Sequence, residues 1–402
     1  MRRVVWRLHR WLPQPGRRRG LVVCVGLVAA VIALVAIQVS ADATGRWKWS
    51  GTACYWDAND NGPDQCDPNN PPSSPSTAME LNISGTDFVV ENKTRFLVFV
   101  SMFDALRESD ANLASDFQYL HSKGVEGIRV FPNWWRRTAD YGGGTVYYPQ
   151  DSLMDPQGNL RSAPLTKLLN VLTLAKQNSL FVDLSFSAET VAHCPYDNCV
   201  QAAPDISSLT YAELQTGLVA LSTILSNGGS AYKHVFIDVQ NECDKDTNGP
   251  SDKRPFVNYT NEIRSIVQAI HAVDWHIIVT ASFTGVMSPA DAAWHASDKW
   301  LDVTTWHQKR QDYWWTYTTG QLPALLGADK PVYLQEPAPS PENQWTTAGV
   351  LDDVLAAHDA GAAAWCFHTR KSFHLSDGSL YNHLTDGEKA VLDGLIAKLP
   401  DR

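Results

Sequence analysis

Val235-Phe-Ile-Asp-Val-Gln-Asn-Glu242 decides how the rest of the chain is read. Val235 to Val239 are mostly apolar β-formers, the pattern of a short strand buried on both faces. The run then breaks into Gln240, Asn241 and Glu242 and the polar loop Cys243 to Gly249. An acid just past the C-terminal end of a buried parallel strand is where (β/α)8 barrels carry their chemistry. Pro331-Val-Tyr-Leu-Gln-Glu336-Pro repeats the pattern, a short apolar strand that ends in a glutamate.

Outward from these strands the signal is regular. Asp87–Val90, a turn at Glu91–Thr94, and Arg95–Ser101 predict a hairpin that leads into a first strand. Asp110 predicts a helix cap, with the helix running to Lys123 and Gly124 ending it. Further strands are predicted at Gly127–Phe131, Leu180–Ser185, Ile277–Ala281, Val303–His307, Val332–Leu334 and Ala362–Phe367. Helical stretches fall between them at 163–178, 211–227, 255–273, 313–326, 346–360 and 386–398. Eight strands alternating with helices predict an α/β fold, a (β/α)8 TIM barrel, over residues 81–402. A barrel of that length commonly forms one domain.

Residues 1–43 read as a signal peptide or N-terminal membrane anchor. Met1 to Gly20 holds seven arginines and no acid, and Leu21 to Val39 is apolar except for Gln38. Ala41-Asp42-Ala43 offers a small-x-small cleavage pattern. The run is also long enough to span a bilayer, and the arginines before it keep the N-terminus inside. Either way the bulk of the chain is expected to be exported, secreted or anchored, with membrane contact only through this segment. A net charge of -10 and the lack of a basic patch beyond the N-terminus argue against nucleic acid as a partner.

Seven cysteines suit an oxidising compartment. Proximity pairs Cys54 with Cys66 and Cys194 with Cys199, and leaves Cys243 and Cys366 open. Residues 44–80 form a Cys/Asp/Asn/Pro-rich segment. Within it Asp57, Asn59, Asn61 and Gly62 have the D-x-N-x-N-G spacing of a calcium loop, in which alternate oxygens wrap a hard cation while Gly makes the turn. A structural Ca2+ there is one reading and a disulfide-pinned polar turn is the other. Pro68 stands where an EF-hand closes with Glu, and the run to Asp67 looks more like a thrombospondin type 3 repeat.

Two glutamates at the ends of two barrel strands are the minimum equipment for cleaving a glycosidic bond, one carboxyl as acid and one as nucleophile or base. On Asn241-Glu242, Glu336, Arg129, His307 and Trp365, the chain from about 81 to 398 resembles the clan A glycoside hydrolases, closest in style to the cellulase family, family 5. The resemblance implies Glu242 as acid/base, Glu336 as nucleophile and Asn241 on the sugar 2-hydroxyl. It further implies Arg129 as the guanidinium that keeps the nucleophile ionised, His307 as the cleft histidine of strand six, and Trp365 as the platform under the scissile sugar. No cofactor is needed for that chemistry, and the partner is a polysaccharide or oligosaccharide of the cellulose, β-glucan or mannan type. Trp134 and Trp306 lie in or near strand-to-helix connections and are further candidate sugar platforms. Two positions depart from the family. Strand three reads Asp183-Leu-Ser-Phe-Ser187 where the family has a histidine, and Lys309 stands where it has an aromatic residue. A catalytically silent barrel that binds cell-surface glycan is the competing expectation.

Overall fold

The computed structural model describes residues 46–49, 54–57, 79–133, 136–137, 146–147, 151–186, 209–243, 256–283, 295–307, 325–326, 329–337 and 345–399. The barrel belongs to a compact unit of Trp49–Tyr55 and Cys66–Arg402; Met1–Lys48 with Trp56–Gln65 form another. Arg46–Trp49 and Cys54–Asp57 pair as a two-stranded sheet.

The barrel strands in chain order are β1 (Leu97–Ser101), β2 (Gly127–Val130), β3 (Phe181–Ser185), β4 (Val235–Asp238), β5, β6 (Thr304–His307), β7 (Val332–Glu336) and β8 (Ala364–Phe367). β5 comes in two pieces. Val279–Thr280 pairs with β4 and Ser282–Phe283 with β6, which closes the sheet on itself. Every neighbouring pair is parallel, and β8 pairs with β1. The connecting helices are α1 (Asp110–Ser122), α2 (Ser162–Gln177), α3 (Tyr211–Asn227), α4 (Phe256–Val273), α5 (Thr347–Asp359) and α6 (Asp386–Lys398). The helix expected at 313–326 lies outside the described residues apart from its last two positions.

Local chemistry explains the boundaries. Thr210 with Glu213 and Thr385 with Glu388 form reciprocal capping boxes that satisfy the first amides of α3 and α6. α1 is capped by Ser109, whose hydroxyl accepts from the Asn112 amide; Asp110, the expected cap, is the first helical residue. Gly124 after α1 sits at φ 75°, a conformation glycine adopts without a Cβ penalty.

The expected hairpin is a three-stranded antiparallel meander, Leu81–Ser84, Asp87–Val90 and Lys93–Arg95, and the next strand leaves it for the barrel as β1. Glu91 and Asn92 both have positive φ, the geometry that lets a two-residue turn match strand twist. The meander closes the lower mouth of the barrel. Leu81 and Phe88 join the interior layer of Leu97, Phe99, Phe181, Phe236, Ile278, Val303, Tyr333 and Cys366. Gly127 is required in that layer, because a Cβ there would stand 2.2 Å from the Phe99 ring.

Side chains alternate along the strands, with one break on β7 where Gln335 and Glu336 both face inward. Outward residues such as Val98, Ile128, Leu184, Ile237 and Leu334 join one core with the helices. Inward residues above the aromatic layer turn polar: Ser101, Arg129, Asp183, Asp238, Thr280 and Thr305, all fully buried. The site sits on that polar layer. Cys243 and Cys366 are buried, and Cys66, Cys194 and Cys199 of the two expected disulfides lie outside the described residues. Among the described residues no helix is long and apolar enough to cross a membrane; Leu21 to Val39 is outside them.

Candidate active site

Arg129 is the hub. It projects inward from β2, between Ser101 of β1 and Asp183 of β3 in register. Its Nη1 donates to Glu336 Oε1 at 2.6 Å, its Nη2 to Asn241 Oδ1 at 2.5 Å and its Nε to Ser185 Oγ at 2.9 Å. Phe131 lies under the guanidinium, 4.6 Å from ring centre to Cζ. Burial alone would lower the Arg129 pKa, but the charges of Glu336, Asp183 and Asp238 outweigh it and hold the cation firmly.

Glu242 follows β4 with φ 49°, a left-handed conformation that costs a non-glycine residue about 1–3 kcal/mol. The surroundings hold it there. The Glu242 amide donates to Ser282 Oγ at 3.1 Å, the Asn241 amide to the Phe186 carbonyl at 2.6 Å, and the Cys243 amide to the Ser282 carbonyl at 2.8 Å. Strained backbone of this kind gathers where a side chain must be aimed.

His307 ends β6 between the two glutamates. Its Nδ1 is 3.2 Å from Glu242 Oε1 and 3.7 Å from Glu336 Oε1. Burial works to lower its pKa, while Glu336 and the hydrogen bond to Glu242 raise it, and the net result is upward. The β6–β7 register slips after Trp306, so His307 pairs with Glu336 and Gln335 becomes the extra residue. Such irregularities re-aim side chains beside active sites. Here Gln335 faces the interior by alternation from Tyr333, and the slip lets Glu336 face it too. Gln335 Nε2 donates to Asp183 Oδ2 (2.7 Å), Asp238 Oδ2 (3.0 Å) and Ser185 Oγ (3.1 Å), and its Oε1 is 2.7 Å from His307 Nε2. Burial pushes Asp183 up to about 7, against the pull of Arg129 and with the help of Asp238.

Donor atoms of Glu242, His307 and Glu336 all lie within 4.8 Å of one another. A cation could bridge that spacing, but the Arg129 guanidinium already supplies the positive charge at Glu336, and we assign no metal to the cluster.

The structure therefore brings Glu242, Glu336, Asn241, Arg129 and His307 together. It does not bring Trp306 or Trp365. Alternation sends Thr305 and His307 inward, so Trp306 points out into the helix-facing core. Ala364 and Cys366 face in, so Trp365 faces out; it is fully buried, with Nε1 donating to Asp353 Oδ2 of α5 at 2.8 Å. Neither indole can lie under a sugar, which corrects the expectation for both. Trp134, Asn59 and Asn61 lie outside the described residues, and Asp57 is placed only as a strand end.

The motif reading missed Ser185, Gln335, Asp183, Asp238 and His368. His368 follows β8, with Nε2 3.8 Å from Glu336 Oε2 and its ring edge-on to Phe103, which stacks on Phe373. The acids had a readable signal, since a carboxylate inside an otherwise apolar strand needs a buried partner.

No family model and no curated protein matches the sequence. Solved structures do match in fold. An endo-1,4-β-mannanase from Rhizomucor miehei superposes with a TM-score of 0.55 at 13% identity, covering 80% of this chain and 100% of the other. A family 5 glycoside hydrolase from Bacteroides vulgatus gives 0.52 at 14%, covering 80% and 69%. A β-mannanase from Thermomonospora fusca, in its mannotriose complex, gives 0.50 at 13%, covering 79% and 97%. The chain has the (β/α)8 fold of these glycoside hydrolases.

Proposed function

We propose that the protein is a retaining glycoside hydrolase acting on a β-linked glycan, of the mannan or β-glucan type. One observation carries the reading: two carboxyl groups end β4 and β7 with their nearest oxygens within 4.8 Å, and a buried arginine is bonded to one of them only. Retaining enzymes hold their carboxyls about 5–5.5 Å apart, while inverting enzymes need about 6.5–9.5 Å to admit a water.

The arrangement divides the roles. Glu336, tied to Arg129, is kept as the carboxylate that attacks the anomeric carbon. Glu242 lacks that guanidinium and is the more open of the two, with 17% of its side chain exposed. It protonates the leaving oxygen. The glycosyl–Glu336 ester then forms, Glu242 is left ionised, and it takes a proton from the water that cleaves the ester. Asn241, oriented by Arg129 Nη2, is placed to bond a hydroxyl next to the reacting carbon. The mannan option draws on fold neighbours that are β-mannanases. We also propose export, from the arginines and apolar run at the N-terminus, and a structural Ca2+ in residues 44–80, from the spacing of Asp57, Asn59 and Asn61.

The test is turnover of β-mannans, β-glucans, xylan and aryl β-glycosides by the full chain, with product anomers followed by NMR. Glu242→Gln and Glu336→Gln are each expected to lose at least about 10³-fold in kcat. First-formed product is expected to keep the β configuration. Inverted product would overturn the pairing of the two glutamates. Glycan binding without turnover, unchanged in Glu336→Gln, would establish the silent barrel.

A further inference from the structure

We infer that Gln335 is a positioning residue: it commits the Nε2 proton of His307, and so makes Nδ1 the one atom through which His307 and Glu242 share a proton. The inference rests on the proposed role of Glu242 as acid/base and deepens it.

Gln335 is fully buried, and one end of it faces Asp183, Asp238 and Ser185. An amide nitrogen brings two donors to that trio, whereas an amide oxygen would oppose two carboxyl groups. The nitrogen therefore points to the acids. The oxygen is left for His307 Nε2, 2.7 Å away. An amide oxygen only accepts, so Nε2 must carry hydrogen. The hydrogen bond at one ring nitrogen sets the state of the other. A neutral His307 then has its lone pair on Nδ1, 3.2 Å from Glu242 Oε1.

Two arrangements hold the same proton. In one, Glu242 is a carboxylic acid whose Oε1–H donates to Nδ1. In the other, His307 is an imidazolium whose Nδ1–H donates to the Glu242 carboxylate. The second fits the moment after the acid has given its proton to the leaving oxygen. The charged groups facing His307 are Glu242 after β4, Glu336 on β7 and Arg129 on β2; Asp183 on β3 and Asp238 on β4 act on it through Gln335. The pair therefore titrates as a unit.

The experiment is a 15N-histidine NMR titration of the full chain, with His307 assigned from the signals lost in His307→Asn. Nε2 is expected to stay protonated throughout, with Nδ1 the nitrogen that titrates. Gln335→Met removes the acceptor on Nε2, so the imidazolium is less favoured, and the His307 midpoint is expected to fall by about one pH unit. The alkaline limb of kcat/KM should fall with it, while the acid limb stays. Should Gln335→Met not fold, Glu242→Gln is the second variant. It should lower the midpoint of Nδ1 and leave Nε2 protonated. A neutral His307 with its proton on Nδ1 would overturn the inference, as would a midpoint unmoved in both variants. If no glycan is turned over, the acid/base reading fails, yet the spectra still decide what Gln335 does to His307.

Discussion

At the scale of single residues, Trp365 and Arg129 show opposite uses of burial. Arg129 is buried as a charge and is matched on three sides by acceptors, which fixes both its protonation and its geometry. Trp365 is buried as an apolar ring whose one polar atom reaches Asp353. Trp365→Phe is expected to cost about 1–3 kcal/mol through that lost hydrogen bond and the smaller ring. Urea unfolding measures it, and kcat and KM at a permissive temperature should stay within about twofold. A fall of tenfold or more in kcat/KM with unchanged stability would return Trp365 to the cleft. Glu242, Glu336, Asn241 and His307 were legible because each stands at or just past a strand end in a recognisable pattern, and Arg129 because it is a charge inside a buried strand. The indoles were misplaced because they were judged by residue type, although period-two alternation already sends Trp306 and Trp365 outward. Gln335 was missed although alternation from Tyr333 already sends it inward. What no local pattern announces is the slip opposite His307, which turns Glu336 to the same side.

At the scale of elements, the strands and helices were legible from apolar runs and caps, and the errors lie at the joins. β5 is split between two neighbours; the hairpin's second arm ends at Arg95 before the chain leaves for the barrel, and Leu81–Ser84 adds a third strand. The join of α2 to β4 carries a prediction. His234, just before β4, reaches the Leu172 carbonyl of α2 with Nε2 at 3.0 Å, while its Nδ1 is buried without a hydrogen-bond partner. Burial lowers its pKa from 6.5 to about 3, against that hydrogen bond. The folded value is depressed, so the unfolded chain takes up a proton below 6.5 that the folded chain refuses. His234 thus contributes stability that is present above pH 6.5 and is lost as pH falls towards 3. His234→Gln keeps a donor for Leu172 and does not titrate. Between pH 6.5 and 4.5 its stability should fall less steeply than that of the wild type, by up to about 1.4 kcal/mol per pH unit. Urea midpoints across that window test it, and parallel slopes for the two proteins would reject it.

At the scale of the whole barrel, stability and chemistry occupy opposite mouths. The meander caps one end with Phe88, whose ring centre lies 6.1 Å from that of Phe236 on β4. The glutamates occupy the other end, beyond the layer of Arg129, Asp183 and Asp238. The same strand, β4, therefore carries an apolar plug contact at Phe236 and, four residues past its last position, the acid Glu242. Phe88→Ala would open a cavity in the interior layer that the meander covers, and it should cost about 3–5 kcal/mol. Because the loss is at the bottom layer, the polar layer above it keeps its own hydrogen bonds and the site its geometry. The expected outcome is a lower melting temperature with kcat and its pH profile unchanged below the transition. A kcat that falls in step with stability would mean that the bottom layer sets the aim of β4, and that the two ends of the barrel are one mechanical unit.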